Sequence, residues 1–214
     1  MTEIYIVRHC ESIANCDHSF AGRTDADISE RGKLQLEYLA EYFKDIRLDK
    51  IYTSSLIRAR KTAEAINRYS SAPIEIEDRF IEIDLGELDG RPVSEMTQEQ
   101  KHFWTMRPHE FMAPKGEKMG EVAVRAMEGL KWIAQQNPSK KIAVASHGCA
   151  IRNMIRVLKG LEDADLLNVE WCDNTGVNKV LFFDDGSYKI EFENYNEHLK
   201  GDAKAIPVSS WTKE

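Results

Sequence analysis

Hydrophobic positions along this chain come in short β-branched runs separated by longer amphipathic stretches. Ile4-Tyr5-Ile6-Val7 is such a run and predicts a buried strand over Glu3 to Val7, ending at Arg8-His9. Ser29 is a plausible N-cap for a helix that carries Leu36, Leu39, Tyr42, Phe43 and Ile46 on one face. Lys50 to Thr53 predicts a short second strand, after which Ser54 or Ser55 is expected to cap a helix with Ala59, Thr62, Ala63 and Ile66 inward. A brief strand is expected over Pro73 to Ile76. From Val122 the helical period returns through Ala126, Leu130, Ile133 and Ala134, and Asn137-Pro138 stops it. Ile142 to Ala145 predicts another buried strand, terminating at Ser146-His147-Gly148, with a helix following through Ile151, Ile155 and Leu158 to Gly160. Val177 to Phe183 and Tyr188 to Phe192 flank Asp184-Asp185-Gly186-Ser187, a hairpin signal.

Strand and helix alternate over most of the length, which predicts an α/β protein with a mostly parallel sheet covered by helices. No repeat, low-complexity tract or linker breaks the chain, so one domain over residues 1–214 is expected. Between Pro92 and Gly120 the period is lost: His102, Phe103, Trp104, Met106, His109, Phe111 and Met112 mix with charges, and Pro108 and Pro114 interrupt. A segment of that length is expected to be a lid or binding loop inserted in the domain.

Composition narrows the function classes. The chain has 214 residues, 42% apolar and 30% charged, which is globular and not disordered or fibrous. The net charge of −7 argues against nucleic-acid or anionic-membrane partners, and no apolar run is long enough to span a bilayer. The opening residues, with Glu3 and Arg8 around a short apolar burst, predict no signal peptide. Cys10, Cys16, Cys149 and Cys172 form no C-x-x-C pair and are expected to be free thiols in a reducing cytoplasm. An anion, if bound, therefore needs a local basic cluster.

Such a cluster is present. His9 and His147 each follow a predicted buried strand, and in open α/β sheets the carboxyl ends of strands are where ligands bind. Arg8 adjoins His9, and the helix after His147 offers free N–H groups that would favour an anion. Arg58, in the first turn of its helix, opposes the macrodipole, so its use is expected outside the helix. Two guanidiniums and two imidazoles are the groups that hold a dianionic phosphoryl group.

These residues carry a resemblance. Arg8-His9-Cys10-Glu11-Ser12 with Asn15 is similar to the Arg-His-Gly signature of the histidine phosphatase (phosphoglycerate mutase-like) superfamily. Ser29-Glu30-Arg31-Gly32, Ser54 to Ala59, Glu82 to Gly90, Ser146-His147-Gly148, and Asn194 with His198 resemble further family segments in the same order. The resemblance implies a three-layer α/β/α fold and a phosphatase of small phosphorylated metabolites, with no metal and no cofactor. It implies that His9 is the nucleophile that becomes phosphohistidine, and that Arg8, Arg58 and His147 surround the phosphoryl oxygens. Asn15 would add a hydrogen bond, and Glu82 would be the general acid and then base. Cys10, Ser12 and Gly148 are expected to line the substrate site.

The signature glycine is replaced here by Cys10, which keeps a catalytically weak binding protein on the same fold in view as an alternative. A mutase is a second alternative, although Glu82 is followed by Ile83-Asp84-Leu85, which supplies no cationic grip on a second anionic group. A metal site of His9, Cys10, His147 and Cys149 is a third, opposed by the neighbouring arginines. If Cys10 and Cys149 border a cationic pocket, their thiols are expected to be oxidation-prone. His102, Trp104, Arg107, His109, Lys115 and Lys118 are candidates to meet the substrate from the lid. The sequence does not give the substrate or the oligomeric state.

Overall fold

The computed structural model describes residues 1–204; residues 205–214 of the expected domain lie outside the described residues. Six strands form one sheet: β1 (Thr2–Arg8), β2 (Lys50–Thr53), β3 (Ile74–Ile76), β4 (Lys141–Ser146), β5 (Val177–Phe182) and β6 (Tyr188–Tyr195). Their spatial order is β3-β2-β4-β1-β5-β6. β3, β2, β4 and β1 run parallel, and β5 and β6 continue antiparallel.

Alternation along the central strands builds two cores. Ile4, Ile6, Tyr52, Ile142 and Val144 pack on one face with α5 (Met119–Gln136) and α6 (Gly148–Leu158). Tyr5, Val7, Ile51, Ala143 and Ala145 pack on the other with α2 (Glu30–Phe43) and α3 (Ile57–Ile66). The architecture is thus a helix–sheet–helix sandwich, as the near-continuous apolar strand runs require. α2 starts where expected, with the Ser29 hydroxyl accepting the Gly32 N–H at 2.9 Å. A Cβ on Gly32 would lie 2.2 Å from the Glu11 carbonyl, so only glycine lets α2 press against the strand-end loop.

One local expectation needs correction, and two further helices join the expected elements. α3 is capped by neither Ser54 nor Ser55: its N-cap is Leu56, and its first free N–H, on Ile57, goes to the carboxylate of Asp25 from a distant loop. Ser54 is engaged elsewhere, as described below. A one-turn helix α1 (Ile13–Cys16), capped by Ser12, follows the strand-end loop. The segment from Pro92 to Gly120 contains a regular helix, α4 (Gln98–Met106), with a Thr97/Gln100 capping box. Its T-x-x-Q start was a readable signal. α4 buries no residue fully, which is why it shows no apolar stripe.

Candidate active site

The strand order produces the site. β1 pairs in parallel with β4, and the register Arg8↔Ser146 places the next residues, His9 and His147, side by side. Their rings lie 5.1 Å apart between centroids, and the His9 N–H donates to the Ser146 carbonyl at 2.9 Å. The chain leaves β1 toward α2 on one face of the sheet and β4 toward α6 on the other, so a crevice opens between the ends of these two strands, the switch point at which α/β sheets bind ligands. Arg8, His9, Asn15, Arg58, Glu82 and Gly148 line one open-mouthed pocket there.

His9 is almost fully buried. Its Nδ1 lies 2.6 Å from the Cys10 carbonyl, which can only accept, so Nδ1 carries the proton and Nε2 keeps its lone pair. Burial, then the charges of Arg58 and Arg8, push the imidazole well below its usual pKa, so it is neutral at physiological pH. A neutral imidazole with a fixed tautomer is the nucleophilic form. The segment Cys172–Gly176 holds it from behind: Asn174 Nδ2 donates to the His9 carbonyl at 3.0 Å, and the Thr175 N–H donates to the Arg8 carbonyl at 3.1 Å. Asn194 braces that segment by accepting the Asp173 N–H at 2.8 Å, and His198 approaches Thr175 Oγ1 at 3.4 Å.

Both arginines are buried and committed to backbone carbonyls through their terminal nitrogens. Arg8 Nη1 donates to Cys172 at 2.6 Å. Arg58 Nη1 donates to Thr24 at 2.8 Å, and Nη2 to Ala21 and Gly22 at 2.8 and 3.1 Å. Asp89 fixes that loop in turn, accepting the N–H groups of Gly22, Arg23 and Thr24. In each arginine Nε–H is buried without a hydrogen-bond partner among the described residues. Buried unpaired donors are rare because they are costly, and two of them on cationic groups beside one imidazole call for an anionic acceptor.

His147 is fully buried, with Nε2 at 2.6 Å from Ser54 Oγ and Nδ1 unpartnered. Burial, then Arg58, His9 and Arg8, push its pKa well below the usual value, so it too is neutral. Asn15 Oδ1 accepts the Ser12 N–H at 3.1 Å, which turns the amide so that Nδ2 is the free donor on the pocket wall.

The helix N-terminus after His147 is occupied by a side chain of the protein itself, the Glu82 carboxyl group. Glu82 Oε2 accepts the Cys149 N–H at 3.1 Å, and Oε1 accepts those of Ala150 and Ile83 at 3.2 and 2.9 Å. Arg125 positions the Glu82 backbone by donating to the carbonyls of Arg79, Ile81 and Glu82, while Glu117 pairs with its guanidinium at 2.7 Å. Neither Arg125 nor the Asp89 and Asn174 anchors stood out in the sequence, because all three work through backbone groups that only the fold brings near.

Three expected contacts are not on the pocket wall: Cys10, Ser12 and His147, the last fully buried beside His9. The Cys10 side chain is buried in the core with Tyr5, Val7, Leu36, Ala59 and Ala63, and its N–H donates to Thr62 Oγ1 at 3.0 Å. Alternation past the strand end turns it away from the site, and its φ is not positive, so cysteine fits where the signature has glycine. Ser12 caps α1 and points into that turn. Among the described residues no group of three or more His, Cys, Asp or Glu side chains is placed to hold a metal ion. Of the lid candidates, Trp104 lines the pocket; Arg107 and His109 pair with Glu110, and Lys115 with Glu87.

The expectation that both thiols border the pocket fails at Cys10, whose side chain lies in the core, while Cys149 does line the pocket. Burial pushes the Cys10 thiol up to about 12 and the Cys149 thiol well above its ordinary value, and Cys172 rises to about 11. Cys16 is exposed, but burial and its hydrogen bond to the Glu11 carboxylate also raise it. Iodoacetamide at neutral pH is therefore expected to label the native protein slowly and at Cys16 first. Peptide mass mapping checks this; labelling of native Cys10 as fast as Cys16 would contradict the burial described.

Comparison with known proteins matches this geometry. The model of the histidine phosphatase superfamily (branch 1) matches residues 4–196. The uncharacterized phosphatase PhoE of Bacillus subtilis (strain 168) is 33% identical over 94% of this chain and 98% of its own. Phosphoserine phosphatase 1 of Hydrogenobacter thermophilus is 32% identical over 84% of this chain and 86% of its own. The solved structure of Bacillus stearothermophilus YhfR superposes with a TM-score of 0.88 at 25% identity, covering 94% of this chain and 100% of that one. The chain belongs to branch 1 of the histidine phosphatase superfamily and is a phosphatase of that type.

Proposed function

We propose that this enzyme hydrolyses small phosphorylated metabolites through a phosphohistidine on His9, without a metal. The observation that carries the reading is the pair of partnerless Nε–H donors of Arg8 and Arg58 beside an imidazole whose Nδ1 is already occupied. A monoester dianion would accept from both guanidiniums, and from Asn15 and His147. His9 Nε2 then attacks phosphorus in line as the bond to the ester oxygen breaks, and Glu82 gives that oxygen its proton. Glu82 next takes a proton from water, whose oxygen attacks the phosphoryl group as the P–N bond breaks, releasing phosphate and restoring His9. The guanidiniums supply the positive charge that a metal would otherwise bring.

The mutase alternative is disfavoured by the residues after Glu82. Ile83 and Leu85 line the pocket with apolar side chains, and the Asp84 carboxylate turns back onto the Gly86 N–H at 2.8 Å. The weak-binding alternative lost its motive when Cys10 was found in the core. Steady release of phosphate from simple monoesters is expected in excess EDTA, with no interconversion of 2- and 3-phosphoglycerate even with the bisphosphate primer. Loss of turnover on chelation, restored by a divalent cation, would overturn metal independence; mutase turnover above phosphate release would overturn the phosphatase assignment.

A further inference from the structure

The pocket divides into two chemically different halves. Arg8, His9, Asn15, Arg58, Glu82 and Gly148 surround the phosphoryl end. Most of the remaining lining is apolar, Phe20, Ile83, Leu85, Val93, Trp104 and Trp171, with Ser19, Ala21 and Cys149 completing it. Among the described lining residues, the cationic side chains are Arg8 and Arg58; Nη1 of Arg8 and both terminal nitrogens of Arg58 are committed to backbone carbonyls, and the Nε–H of each is assigned to the phosphoryl group. Arg152 is close to Trp171 but is no substitute. Its guanidinium stacks on the ring at 4.6 Å and donates to the carbonyls of Val169 and Leu166 at 2.7 Å each.

The aromatic wall is held in place from behind. Trp104 and Trp171 lie 5.9 Å apart at 30°, and Phe20 and Phe111 meet Trp104 edge-on at 5.4 and 4.9 Å. Gly148 permits this closure, because a Cβ there would lie 3.2 Å from the Trp171 ring and 3.5 Å from Arg8 Nε. Fixed ring faces beside a phosphoryl site favour a flat apolar group on the alcohol. A carboxylate there would lose water and find no cation.

We infer that this site selects phosphomonoesters of apolar, ring-bearing alcohols over phosphorylated acids such as phosphoserine and 3-phosphoglycerate. The inference rests on the phosphatase reading and adds the nature of the alcohol.

The test compares 2-phenylethyl phosphate, ethyl phosphate, phosphoserine and 3-phosphoglycerate. All four are primary alkyl esters, so the leaving groups do not favour the ring-bearing one. A kcat/KM for 2-phenylethyl phosphate about tenfold or more above both phosphorylated acids is expected. Trp104→Ala is expected to lower kcat/KM about fivefold more for 2-phenylethyl than for ethyl phosphate. Native enzyme should also bind 2-phenylethylphosphonate at least about tenfold more tightly than 3-phosphonopropionate, a readout that needs neither turnover nor a variant. Phosphate release with the acids equal or preferred overturns this inference and leaves the phosphatase reading intact. The expected phosphonate order without turnover of any monoester supports the inference and overturns the phosphatase reading instead. An equal loss on both esters in Trp104→Ala would remove Trp104 from selectivity and contradict the proposal.

Discussion

Replacing His9 with alanine is expected to lower kcat for monoester hydrolysis by on the order of 10⁵-fold or more, because removal of a covalent nucleophile abolishes the two-step route outright. The fold should survive the change. The His9 ring makes one protein hydrogen bond, to the Cys10 carbonyl, and the backbone contacts that locate residue 9 do not involve its side chain. The variant should still bind inorganic phosphate, since Arg8, Arg58 and Asn15 remain. Circular dichroism and thermal melting check the fold, and steady-state phosphate release checks the rate. A folded His9→Ala protein turning over at the native rate would exclude His9 as nucleophile.

The second large effect is expected at Glu82. Glu82→Gln should slow esters of poor leaving groups, such as alkyl phosphates, by about 10²–10⁴-fold, the range for removing a positioned acid. It should slow an aryl ester far less, since a weakly basic phenolate departs without a proton. A comparison across leaving groups is necessary here. Both Glu82 oxygens accept backbone N–H groups at the start of α6, and the amide of Gln turns one acceptor into a donor facing Cys149 or Ala150. A purely structural disturbance of that helix end would slow every ester alike. Equal losses on 2-phenylethyl phosphate and para-nitrophenyl phosphate would therefore remove Glu82 from the acid role.

The sequence disclosed the elements that bury continuous apolar runs. Ile4–Val7 and Ile142–Ala145 are strands because β-branched runs of that length fit a sheet covered on both faces. It did not disclose that β4 inserts between β1 and β2, and that insertion is what brings His147 beside His9. Hydropathy is a property of each segment, whereas neighbour order is a property of their packing. The resemblance named the partners, and the register Arg8↔Ser146 is the physical reason they meet. What stayed hidden acts through main-chain groups. Arg125 holds three carbonyls, Asp89 three N–H groups, and Asn174 the carbonyl of His9. In the sequence each is one polar residue among many. Cys10 misled for the opposite reason: adjacency to His9 suggested the pocket, while strand alternation sends it to the core.

The central claim is a covalent phosphohistidine at residue 9, and trapping it is the direct measurement. Native enzyme mixed rapidly with a phosphorus-32-labelled monoester and quenched in base should carry label approaching one phosphoryl group per chain at early times. That label should be lost in acid, persist in alkali and map to the peptide containing His9. Label absent under turnover conditions, or stable in acid and mapped to another residue, would contradict the account.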